Sequence, residues 1–140
     1  MKFKDYLKEE EQKPFDVRDI EDETVENNYF RKVLYTGKHL QLVLMAIEPN
    51  SEIGNEVHND TDQFFRIDEG EGKVVVNNKE EIPIKDGSSI LIRQGTYHNV
   101  VNTSSTKKLK LYSLYAPPHH PPGTVHKTKE EAEEYEKEEK

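Results

Sequence analysis

The chain contains no cysteine, which excludes disulfides, thiolate metal sites and cysteine nucleophiles. It also lacks a long apolar run: "LVLMAI" at 42–47 is the longest, far short of the ~18–20 residues that span a bilayer. The N-terminal "MKFKDYLKEEEQKPF" has no apolar stretch of the kind a signal peptide requires, so the expected location is the cytoplasm. Basic residues are outnumbered, with 20 Lys and Arg against 28 Asp and Glu and a formal charge of -8. Nucleic-acid binders neutralise phosphates with basic stripes, so a nucleic-acid partner is not expected. Apolar residues are sparse at 32% against 34% charged, and they must therefore be concentrated where a core is built.

They are concentrated in one place. Lys and Glu crowd residues 1–28 and 127–140, whereas Val33 to Ala116 holds most of the Leu, Ile and Val. A chain of 140 residues has room for one domain, because domains run about 100–200 residues. We read 1–28 as an N-terminal arm, 29–117 as a β barrel, and 118–140 as a Pro-rich connector with a charged C-terminal helix. The arm shows weak helical spacing at Phe3, Tyr6 and Leu7, then Pro14 and the acidic run "DIEDETVE".

From Tyr29 the pattern changes to short β-branched and aromatic runs bounded by Gly, Pro, Asn and Ser: "YFRKVLYTG", "KHLQLVLMAIEP", "FFRIDEG", "GKVVVNNKEEIPI", "GSSILIRQG", "HNVVNTS" and "KKLKLYSLYAPP". Short strands at this spacing predict an all-β sandwich or barrel. Leu40, Leu42, Leu44 and Ala46 alternate with Gln41, Val43, Met45 and Ile47, so both faces of this strand need cover. "VNNK" at 76–79 reads as a hairpin tip, since Asn tolerates positive φ. After Tyr115 the strand signal stops at "APPHHPPGT", a stiff connector whose prolines remove ladder donors. Beyond it, Thr128 and Glu131 are spaced as a capping box for a helix with Ala132 and Tyr135 as its apolar residues.

The stretch "GNEVHNDTDQFFRIDEG" at 54–70 carries the candidate chemistry. Residues two apart on a strand share a face, so Glu56 and His58 project together at the spacing of two ligands to one metal ion. A turn through "NDTD" brings Gln63 back beside them, and His98 opens another strand in "GTYHN". Taken singly, Glu56 reads as a solvated strand residue and either histidine as a hydrogen-bonded structural one. His119, His120 and His126 read as surface histidines on the connector, with one of them closing over the barrel mouth or a partner subunit as the alternative. One of Phe64 and Phe65 should enter the barrel, Tyr97 should pack in the core or at the rim, and Arg66 reads equally as a surface charge or, like Arg93, as a candidate anchor for an anion.

These residues fall in the register of two motifs. The first runs Glu56-x-His58, four residues, Gln63, six residues, Gly70; the second runs Gly87, five residues, Arg93, one residue, Gly95, two residues, His98, three residues, Asn102. In both, the chain resembles the cupin superfamily, whose first motif has His at the position of Glu56 and Glu at that of Gln63, and whose second has Pro at that of Arg93. The closing "KLYSLYAPPHHPPGTVHKTKEEA" is similar to small bacterial cupins described as mannose-6-phosphate-isomerase-like.

The resemblance implies an all-β double-stranded β-helix, the cupin or jelly-roll barrel, with Glu56, His58, Gln63 and His98 as the metal set. Exchanging His for Glu at 56 and Glu for Gln at 63 keeps a single carboxylate, and such N/O donors suit Fe, Mn, Ni or Zn. Gln63 would be a weak oxygen ligand or a hydrogen-bond partner of the ligands. The implied function is a metal-dependent cupin that acts on or binds a small polar molecule, as a sugar-phosphate-isomerase-like or dioxygenase-type enzyme. A non-catalytic ligand-binding or sensory cupin and a metal-free epimerase-type cupin are the alternatives. The resemblance also implies a homodimer, with Tyr29–Gly37 contributing.

Overall fold

Each run picked out by its alternation becomes a strand in the computed structural model, which describes residues 12–139. The spacing of Phe3, Tyr6 and Leu7 lies outside the described residues. The strands are β1 (Arg31–Thr36), β2 (Gln41–Ile47), β3 (Asp62–Glu69), β4 (Glu71–Val76), β5 (Glu80–Lys85), β6 (Ser89–Ile92), β7 (His98–Asn102), β8 (Leu109–Ala116) and β9 (Val125–His126). They form a six-stranded sheet in the order β6-β3-β8-β2-β1-β9 and a three-stranded sheet in the order β5-β4-β7. Bridges from Glu52 to Val101 and from Glu56 to His98 extend the smaller sheet by the segment 52–56. The result is the expected double-stranded β-helix barrel.

The inner faces of the two sheets meet in one core. Val74, Ile84 and Val100 of the smaller sheet pack with Val43, Met45, Phe65, Ile67, Leu109 and Leu111 of the larger. Phe65 is the phenylalanine that enters, while Phe64 lies on the outer face beside Tyr112. Gly72 is required where β4 lies close against β7 in the smaller sheet, because a Cβ there would stand 2.2 Å from Val101 O. The β4–β5 hairpin turns at Asn77 and Asn78, both at positive φ, as their sequence predicted.

Two segments differ from expectation. The acidic run expected in the arm forms a helix, α1 (Ile20–Glu26), whose Thr24 is fully buried. Lys110, on the outer face of β8, anchors the end of this helix by donating to Val25 O and Asn27 O, which answers the loose carbonyls a helix C-terminus leaves. The connector contributes β9, which pairs with β1 at Arg31 and Lys32. α2 (Lys129–Glu139) then folds back, with Ala132 in the core. Its N-terminus is capped as expected, with Glu131 N donating to Thr128 Oγ1 and Lys127 N to Glu131 Oε2.

Candidate metal centre and barrel mouth

The inner face of the larger sheet changes from apolar to polar along the strands. Met45, Leu111 and Ile67 form one cross-strand row, Val43, Ser113 and Phe65 the next, and Gln41, Tyr115 and Gln63 the last before the mouth. Across from this polar end, Glu56 and His98 exchange backbone hydrogen bonds of 2.8 and 2.9 Å, so their side chains share a face. His58 follows by alternation. Donor atoms of Glu56, His58 and His98 all lie within 4.8 Å of one another. Three of the residues expected at the site therefore converge, and the fourth, Gln63, places Oε1 3.2 Å from His98 Nε2.

Two unmet requirements show what this group can hold. His98 faces an oxygen acceptor with each ring nitrogen, Nδ1 toward Thr96 O at 3.0 Å and Nε2 toward Gln63 Oε1. A neutral imidazole has one N–H for the two acceptors, and burial, which lowers the His98 pKa, opposes a second proton. His58 Nε2 is closed to solvent without a hydrogen-bond partner, although Glu56 Oε2 is 3.3 Å away. Donors ~2.1 Å from one ion at right angles stand about 3 Å apart, so separations of 3.2 and 3.3 Å fit neighbouring ligands of a single cation. Burial alone would raise the Glu56 pKa, but the neighbouring His58 and the charge of Arg31 help outweigh it, and the carboxyl is held below its ordinary value. The donor set is thus one carboxylate and two imidazoles.

Gln63 is buried and held on its other side, where Nε2 donates to Ser113 Oγ at 2.8 Å. Tyr115, 1% exposed, stands beside it with a phenol whose pKa burial drives upward. Neither Ser113 nor Tyr115 was singled out from the sequence. The available signal was strand alternation, which puts residues 113 and 115 on the inner face with Leu111.

The reading of His119, His120 and His126 as surface histidines holds for His119, which is exposed, and gives way for half-buried His120 and buried His126. The connector doubles back across the mouth because Gln41, fully buried, clamps it: Nε2 donates to His120 O, and Oε1 accepts from the amides of His119 and His120. Thr61 Oγ1 holds Pro117 O at 2.5 Å. His119 is thereby stacked on Tyr115 and set with its ring centroid 4.4 Å from that of His58. His120 Nε2 lies 3.3 Å from the Tyr115 hydroxyl. His126 is buried because β9 adds to β1 and α2 packs over it, and its Nδ1 lies 3.5 Å from Arg31 Nη1.

The two arginines considered as anion anchors are elsewhere. Arg66 points from the outer face toward Asp68, 3.7 Å away, and Arg93 is exposed. Arg31 lies near Glu56 instead, and no local pattern marks it, because its burial depends on β9 and α2.

Comparison with known proteins agrees with this architecture. A family model described as a cupin domain matches residues 43–115. The chain is 47% identical over 131 residues to the uncharacterised protein YrkC of Bacillus subtilis, covering 90% of this chain and 69% of that one. It is 39% identical over 111 residues to an uncharacterised protein of Acanthamoeba polyphaga mimivirus, covering 78% and 69%. Among solved structures, a Bacillus halodurans protein superposes with a TM-score of 0.83 at 48% identity, over 87% of this chain and 95% of that one.

Proposed function

This chain belongs to the cupin family, and from that premise we propose that it holds one divalent metal ion in Glu56, His58 and His98, with Gln63 Oε1 beside it, and acts on a small oxygen-bearing molecule bound there. The observation that carries the reading is the convergence of three donors within 4.8 Å, one of them, His58 Nε2, buried without a hydrogen-bond partner. When bound, such an ion supplies Lewis-acid or redox chemistry at its open positions.

The chain's own residues supply the rest. Thr96 O and Gln63 fix the plane of the His98 ring, and Ser113 fixes Gln63. His119 and Tyr115 wall the mouth and narrow the access of water. The contact between His120 Nε2 and the Tyr115 hydroxyl helps hold the connector against the barrel. The reaction is of the isomerase or dioxygenase type, and a sugar-phosphate-isomerase-like activity is the narrower form of this proposal.

The test is elemental analysis of protein purified without an affinity tag, beside His58→Ala and His98→Ala. Near-stoichiometric metal in the parent and its loss in both variants is the expected result. Equal trace metal in all three would overturn the reading. A homodimer is proposed with it, checked by light scattering. Within the chain, β1 is paired with β2 on one side and, at Arg31 and Lys32, with β9 on the other, so the outer strands are β6 and β9 in the larger sheet and β5 and β7 in the smaller.

A further inference from the structure

Arg31 is 3% exposed, and among the described residues it forms no ion pair with a carboxylate. Its Nε has no partner, its Nη1 has the 3.5 Å approach to His126 Nδ1, and its guanidinium lies 5.3 Å from the centre of the Phe30 ring. A buried guanidinium left this way is costly, by several kcal/mol in general, and a fold keeps such a group where something else completes it. Arg31 lines a cavity of about 230 Å³ together with Glu56, Gly54 and Asn55, roofed by Lys129, Ala132, Glu133 and Glu136 of α2. The roof carboxylates are on exposed residues and are screened by water, whereas Arg31 is buried and Glu56 half-buried.

The charges at this place do not balance without an anion. With a divalent ion bound, the interior holds the ion, the Glu56 carboxylate and the Arg31 guanidinium, since ligating imidazoles are neutral and Gln63, Ser113 and the Tyr115 phenol carry no charge. That is a net excess of two positive charges in a weakly screening interior. We infer that Arg31 is the anchor for the carboxylate of the molecule this barrel binds, which makes its ligand a small hydroxy- or oxo-carboxylate whose second oxygen reaches the metal. This inference rests on the metal reading for the second oxygen, and on Arg31 alone for the carboxylate. Arg suits the role because its planar fork pairs with a carboxylate through two hydrogen bonds.

The test is calorimetric titration of the full chain, both metal-free and Zn(II)-loaded, with glycolate, lactate and malate, and with the neutral amides of the first two. Zinc content is measured separately on every sample. In the parent, at least one carboxylate is expected to bind, and its amide to bind about tenfold or more weakly. Arg31→Gln is expected to lose that carboxylate preference while keeping zinc, and Arg31→Lys to recover part of it. Should the parent take no zinc yet still prefer the carboxylate through Arg31, the metal reading falls and the anchor stands. Should the parent bind acid and amide alike, bind neither, or keep its preference in Arg31→Gln, the anchor is wrong. The acid-to-amide comparison uses the parent protein, so it decides the matter even where a variant fails to fold.

Discussion

The ring of His119 sits 4.4 Å, centroid to centroid, from that of His58, although one lies on a Pro-rich connector and the other after the segment that extends the smaller sheet. What holds them together is Gln41, a polar residue with no solvent exposure that bonds His120 O, the amides of His119 and His120, and Thr36 Oγ1. Gln41→Ala removes all of these and leaves buried groups unpaired. Each such loss costs ~1 kcal/mol, so a destabilisation of about 2–3 kcal/mol in urea unfolding is expected. Hydrogen exchange at the His119 and His120 amides should accelerate at the same time. A variant as stable as the parent would show that the connector needs no clamp.

Gln63 separates two roles for its amide. If Oε1 is a donor to the metal, Gln63→Glu exchanges a weak neutral oxygen for a charged one, and divalent affinity rises by about tenfold or more in a chelator competition. If Gln63 only orients His98, the same substitution leaves affinity close to that of the parent. We expect the rise.

The metal-free protein should lose stability as the pH falls below neutrality. Burial, reinforced by the charge of Arg31, lowers the pKa of His120 and His126, His120 from 6.5 to about 2. Below pH 6.5 the unfolded chain therefore binds protons that the folded chain refuses, and the linkage sign makes stability fall with pH. The contribution is intact above the unfolded value and is lost progressively toward the folded one. Glu56, whose carboxyl is held below its ordinary value, adds in the same direction at lower pH. Urea midpoints between about pH 7.5 and pH 5 should decline, and His120→Gln should flatten the decline. A midpoint that does not move with pH would contradict the burial of these rings.

Gly72→Ala tests the barrel independently of the site. The added methyl would meet Val101 O at 2.2 Å, in the register where Gly72 pairs with Asn102 and Lys73 with Val101. Overpacking on this scale against backbone costs roughly 3 kcal/mol or more, read as a lower urea midpoint or as insoluble expression. Gly87→Ala meets no atom within 4 Å but carries a φ of +91, so it should cost less, about 1 kcal/mol.

Much of the barrel was legible because its strands alternate against a polar background. "LQLVLMAI" announced a strand covered on both faces, and Leu44 and Met45 are both buried. "VNNK" announced its own turn through two asparagines at positive φ. Glu56 and His58 were legible through their spacing, and Gln63 and His98 through the resemblance of the two motifs to those of cupins; the fold brings all four side by side. The helix at Ile20–Glu26 was missed because its residues are mostly charged, and what fixes it is a lysine on β8 that its own sequence does not contain.

By itself, the sequence determined the strands, the core and the ligand spacing, since these depend on patterns of two or a few residues that local geometry enforces. Tertiary structure alone decided that Arg31 is buried and which histidine of the connector lies beside His58. Both depend on a connector returning over the barrel through β9, Gln41 and Thr61, contacts between residues far apart in the chain whose pairing no local pattern encodes.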